Sequence, residues 1–140
     1  MNEKNTDKVE TRKAQLRSVI EAYFGGLAGK DISGVPYHDD VILRAPLAAG
    51  GSESPLRGKE AVVGYLNSVL PVLGEARIID WYVNDSLTGV CSAAEVEVTN
   101  PKTTLRVADR FKVDAEGRIT EQENHFDPRN VTTPGWNKGR

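Results

Sequence analysis

Apolar positions follow two different periods along the chain. From Lys8 to Gly29, the residues Val9, Leu16, Ile20, Tyr23, Phe24 and Leu27 recur at helical spacing, which predicts a long first helix. Thr6 or Asp7 offers a cap at its start, and Gly29 suits the position just past its end. Gly25 and Gly26 each weaken a helix by about 1 kcal/mol relative to Ala, so they imply either early fraying or a second backbone lying close. A short second helix is expected from Asp31, stopped by Pro36. Val41 to Ala45 reads as a strand ended by Pro46, and residues 47–58 (LAAGGSESPLRG) read as a loop. Lys59 to Leu70 returns to helical period, with Pro71 closing it. Beyond this point the pattern alternates, predicting strands over residues 76–84, 88–99, 103–114 and 118–127. Helices followed by a meander of long antiparallel strands form an α+β layout, with the helices on one face of a curved sheet.

Residues 1–7 read as a disordered polar tail, 8–129 as one domain, and 130–140, with Trp136, as an extended tail. Trp136 either reaches a partner or sits in a mobile tail. The 140 residues suffice for one core, and 39% hydrophobic with 27% charged residues argues against global disorder. Eighteen basic and twenty acidic residues leave a net charge of −2, with no clustered basic stripe, which disfavours nucleic-acid binding. The single cysteine, Cys91, cannot form an internal disulfide and reads as a small buried hydrophobe. The charged first thirteen residues lack a signal-peptide core, and no apolar run reaches membrane-spanning length. A cytoplasmic protein without membrane association is expected.

The strand faces carry the chemistry. Leu105, Val107, Asp109, Phe111 and Val113 share one face, so Asp109 is the lone charge among apolar side chains. Such a carboxylate must be hydrogen-bonded, protonated or open to a cavity. A structural aspartate and a functional one both satisfy this pattern. On the preceding strand Val90, Ser92, Ala94, Val96 and Val98 face the same way, and the small Ser92 and Ala94 leave space near Asp109. In the last strand Gln122, Asn124 and Phe126 share a face that suits either a polar-lined cavity or an edge. Outward-facing Glu95, Glu97, Arg106 and Arg110 suit a solvated or interface surface, and His125 joins them by alternation. Trp81 reads as core or dimer contact.

The order and spacing of several short segments is similar to the nuclear-transport-factor-2-like superfamily. These are the long first helix, Gly29-Lys30-Asp31, Asp39-Asp40-Val41 entering a strand, Leu56-Arg57-Gly58-Lys59-Glu60-Ala61 opening a helix, and Ala108-Asp109-Arg110-Phe111 running through Gly117-Arg118-Ile119 to Phe126-Asp127. The resemblance lies in the SnoaL-like and ketosteroid-isomerase-like branch. It implies a cone-shaped curved antiparallel sheet wrapped around N-terminal helices, a cystatin-like α+β roll, with a pocket inside and a homodimer contact on the outer sheet face. Tyr23 and Asp109 match the positions where ketosteroid isomerases keep an oxyanion-hole tyrosine and a protonated aspartic acid. The base of that enzyme falls on Ala45, before Pro46, and the carboxylate that limonene-epoxide hydrolases need near the last strand's end falls on Asn124. Neither can accept a proton as a base.

No metal or cofactor is expected. His38-Asp39-Asp40 reads as a solvated turn, and Ser52 and Ser54 lack a paired histidine. The expected function is a small-molecule pocket, with Asp109 and Tyr23 as candidate catalytic groups and Ser92, Phe111, Gln122, Asn124 and Phe126 as ligand contacts. Whether it turns over a substrate as an isomerase-, cyclase- or hydrolase-type enzyme stays open. The alternative is a non-catalytic ligand-binding or dimeric interaction domain.

Overall fold

A computed structural model describes residues 3–131. Met1, Asn2 and residues 132–140, including Trp136, lie outside the described residues. The first helix, α1 (Glu3–Gly29), starts before Lys8, so residues 3–7 are helical where a polar tail was expected. It buries Leu16, Val19, Ile20, Tyr23, Phe24 and Leu27. The αL residue that ends it is Lys30, at φ 58°, one position beyond the expected Gly29. Lys30 N–H bonds Leu27 O at 3.3 Å and Asp31 N–H bonds Gly26 O at 2.9 Å, a Schellman closure. A lysine fits here because its ammonium donates to the carbonyls of Leu70 and Leu73. The returning chain passes so close to Gly26 that an added Cβ would meet Asp31 O at 3.0 Å. Of the two readings of the glycine pair, close backbone approach therefore holds at Gly26.

No second helix forms after Asp31. The Asp31 carboxylate instead accepts the Ser33 N–H at 2.9 Å, building a local turn that competes with helix. Strand β1 (Tyr37–Arg44) starts four residues earlier than expected and pairs with the short β2 (Leu56–Arg57). Helix α2 (Lys59–Val69) runs into a 3₁₀ turn, Leu70–Val72, at Pro71. The meander follows as β3 (Leu73–Val83), β4 (Gly89–Thr99), β5 (Lys102–Val113) and β6 (Ile119–His125), each antiparallel to the one before.

The strand order is β2-β1-β6-β5-β4-β3. β1 lies parallel to β6, so the sheet is mixed where a purely antiparallel one was expected. Register shifts between Ile78 and Asp80, and between Lys112 and Val113, mark bulges that add twist to the strands. α1 packs across β3 and β4, and α2 packs against β1. The α+β roll expected from the sequence is therefore the observed architecture. Arg12 fastens α1 to the sheet by donating to the carbonyls of Leu87, Val113 and Asp114, each at 2.9 Å.

The inner face of β4 and β5 carries the apolar set predicted by alternation, Asp109 included. On the outer face Glu95 pairs with Arg106 at 2.8 Å and Arg77 at 3.3 Å, and Glu123 pairs with Arg110 and Arg44, each at 3.6 Å. His125 lies on this face, 3.6 Å from Glu123. Cys91 is half-buried there rather than in the core. Trp81 packs against the core with the Arg17 guanidinium 5.6 Å from its ring centroid.

Candidate functional site

Three polar side chains meet where the inner sheet face turns under α1. Asp109 on β5 and Asn124 on β6 are directly opposite in register, which puts their side chains on the same face. Asn124 Nδ2 donates to Asp109 Oδ1 at 2.9 Å. Tyr23 comes down from α1, its ring held edge-on against Phe111 at 5.3 Å and Phe24 at 5.0 Å. All three are almost fully buried.

A cavity of about 240 Å³ opens beside them, between α1, α2 and the sheet. Its wall is apolar, built from side chains such as Leu27, Leu66, Val69, Val96, Leu105 and Val107. Tyr23, Asp109 and Asn124 line it as a small polar group, with Asn100 elsewhere on the lining. No lysine, arginine or histidine is among the described residues that line it.

The expected site residues divide into two layers. Tyr23, Asp109, Asn124 and Phe126 line the cavity. Ser92, Phe111 and Gln122 do not; they are fully buried beneath it. Ser92 Oγ donates to the Asp109 backbone carbonyl at 3.4 Å, and Phe111 supports the Tyr23 ring. Gln122 accepts from the Tyr37 hydroxyl through Oε1 at 2.6 Å. Tyr37 carried no signal in the sequence reading. It belongs to a strand whose register shifts between Tyr37 and Ile42, so Tyr37 and Val41 are buried while Asp39 is exposed. A bulge of this kind erases the alternation that would have revealed it.

Burial dominates the electrostatics. The Asp109 carboxyl is pushed up to about 7 by desolvation, with the Asn124 hydrogen bond pulling the other way. Tyr23 is raised well above the usual tyrosine range by burial first, then by the nearby Asp109 and Tyr37, while the amides of Gln122 and Asn124 lower it. Tyr37 is raised by burial and by Asp109. Both hydroxyls therefore stay protonated at neutral pH, and Asp109 divides between a carboxylic acid and a carboxylate. The protonated acid and a tyrosine O–H are hydrogen-bond donors in a site shielded from water, where such donors act most strongly on a carbonyl or alkoxide oxygen.

Among the described residues no group of three His, Cys, Asp or Glu side chains gathers as a metal site, and no helix is long and apolar enough to cross a membrane. The model of the SnoaL-like domain family matches residues 20–122, spanning the end of α1, both sheet edges and the site residues Tyr23 and Asp109, and ending two positions before Asn124. The chain belongs to the SnoaL-like family. Solved structures related to this SnoaL-like chain include a steroid delta-isomerase from Pseudomonas aeruginosa, 25% identical over 84% of this chain and 82% of that one, with a TM-score of 0.66. SalBIII, an epoxide hydrolase/cyclase-like enzyme of salinomycin pyran ring formation, is 16% identical over 82% and 92% of the two chains, with a TM-score of 0.70. A cystatin-like-fold protein from Methylobium petroleophilum PM1 is 20% identical over 81% and 76%, with a TM-score of 0.68. No curated protein matches the sequence significantly.

Proposed function

We propose that this SnoaL-like protein binds a small, neutral, mainly apolar molecule of one or two rings, and that Asp109 and Tyr23 donate hydrogen bonds to its single carbonyl or hydroxyl oxygen. The observation that carries the reading is one buried carboxyl, held at about 7, the one acidic group among the described residues that line a mainly apolar cavity. Size supports it as well. About 240 Å³ lies just below the roughly 300–1,000 Å³ of pockets that enclose drug-sized ligands. Charge supports neutrality, because the described lining offers no cation to an anionic ligand and a carboxyl to repel one. The steroid delta-isomerase and SalBIII are similar proteins whose names describe chemistry on cyclic molecules, which fits a ring-bearing ligand.

A second reading is favoured by the same carboxyl. A group at about 7 is poised to release and recover a proton near neutral pH, so Asp109 can pass one to or from the bound molecule in an isomerase-, cyclase- or hydrolase-type step.

Calorimetric titration with indanone, its parent hydrocarbon indane and the anion indane carboxylate tests the binding reading. The ketone should bind most tightly, the hydrocarbon about 3- to 10-fold more weakly for want of the hydrogen bond, and the anion weakest. Preferential binding of the carboxylate, or binding of none of the three, contradicts it.

A further inference from the structure

The cavity follows the strands away from Asp109. On β5 it is lined by Asp109, Val107 and Leu105, every second position of the inner face. On β4 it is lined by Val96, Val98 and Asn100, again positions of one face. Asp109 is paired with Ser92 and Leu105 with Val96, so the β4 lining begins where the β5 lining ends. The strand rise places Leu105 roughly 13 Å from Asp109, whereas a sphere of about 240 Å³ is only about 8 Å across. The cavity is therefore longer than it is wide.

Its chemistry is graded along that length. Phe126 lies two residues past Asn124, which faces Asp109, so an aromatic ring flanks the polar end. Beyond Val107 the described wall is aliphatic. Leu105, Val96 and Val98 come from the strands, Val69 from α2, and Leu73 from the start of β3, where it pairs with Val98. Leu105, Val96 and Val98 are almost fully buried, so this stretch is covered. Asn100, at its far end, is exposed, and there the cavity meets solvent.

We infer that this aliphatic stretch is a subsite for an unbranched alkyl chain, carried by the ligand on the side opposite the oxygen that Asp109 and Tyr23 hold. Burying such a chain between valine and leucine side chains stabilises the complex and strands no polar group. The described walls of this stretch offer no aromatic face on which a further flat ring could stack. The bound molecule thus has a fixed order: oxygen at the buried end, ring beside Phe126, chain along β4 and β5, and chain end toward Asn100.

The orientation rests on the ligand-binding reading, and the measurements separate the two. In calorimetric titration, indanones with an ethyl, butyl or hexyl chain para to the carbonyl should bind about 2- to 4-fold more tightly for each added methylene. The gain should level off beyond about eight carbons, where the chain emerges past Asn100. The same hexyl chain on the carbon next to the carbonyl lies against the buried floor, and that isomer should bind no better than indanone. Val98→Phe and Leu105→Phe each narrow the stretch, so in either variant the gain should stop at a shorter chain. Equal gain for the two hexyl isomers, no gain with chain length, or an unchanged chain-length profile in both variants overturns the subsite and leaves the binding reading standing. Octanol supplies an arm that needs no ring ketone, because in wild type it should shift the Val98 and Leu105 methyl resonances. If no indanone binds while octanol moves those methyls, the ring-ketone reading fails and the chain subsite stands. If octanol leaves them unmoved, the subsite fails whatever else binds.

Discussion

The side-chain amide of Asn124 donates to Asp109 Oδ1 at 2.9 Å from the position directly across the β5–β6 pairing. This bond keeps the buried acid within reach of neutral pH. Burial drives the Asp109 carboxyl upward, and the amide opposes it by stabilising the ionised form. Replacing Asn124 by Leu removes the opposing effect. The Asp109 titration, followed by carboxyl-carbon NMR, should move further above about 7 in Asn124→Leu. A downward move contradicts this arrangement.

Stability should depend on pH through the same group. Asp109 is raised in the folded state, from the usual 3.8 to about 7. Its contribution is therefore fully present below the unfolded value and is lost as pH rises through the folded one. Each pKa unit corresponds to about 1.4 kcal/mol. Asp109→Asn has no proton to lose and keeps an oxygen to accept from Asn124. Relative to wild type, that variant should gain stability as pH rises from about 4 to about 7 and hold the gain above it. Urea denaturation of both proteins across pH checks this, and a constant difference would refute it.

The adjacent glycines of α1 should respond in opposite directions to alanine. An added Cβ at Gly25 meets nothing within 4 Å, so Gly25→Ala should stabilise by about 1 kcal/mol through helix propensity. At Gly26 the same atom would meet Asp31 O at 3.0 Å and Ile32 Cα at 3.3 Å, both backbone. Gly26→Ala should therefore destabilise by about 1–2 kcal/mol, within the range of overpacking. Thermal denaturation of the pair compares them directly.

Two activities associated with the resemblance should be missing. On the resemblance read from the sequence, the base position of ketosteroid isomerases is expected at Ala45, a buried methyl group just past β1, and the carboxylate position of limonene-epoxide hydrolases at Asn124. Loss of a general base removes about 10²–10⁴-fold in rate. Assays with a Δ5-ketosteroid and with limonene epoxide should show turnover near the buffer rate. Strong turnover abolished by Asp109→Asn would show that Asp109 serves as the base.

How much of this was legible in the sequence depended on which residues kept a simple period. Asp109 stood out because β5 alternates without a break across it, and the same alternation aligned Ser92, Asn124 and Gln122 on the inner face. Hydropathy shows which way a side chain faces but not how deep it lies. Gln122 and Ser92 thus looked like cavity residues although they lie beneath the cavity floor. Tyr37 was hidden by the irregular register of β1, and the parallel pairing of β1 with β6 has no local signature at all. The helix expected after Asp31 gave way to a side-chain turn that pattern counting does not weigh. The apolar wall drew on α1, α2 and three strands, so its residues looked like ordinary core until the chain was folded.

The most direct test of a neutral ligand held by protonated Asp109 is the affinity for indanone measured from about pH 5 to about pH 9 in wild type and in Asp109→Asn. Binding that uses the acid's proton favours the protonated form. Wild-type affinity should stay level below about 7 and fall as the carboxyl ionises above it, while Asp109→Asn should give a flat profile. Identical profiles for the two proteins, or a wild-type affinity that rises above that point, would contradict the account.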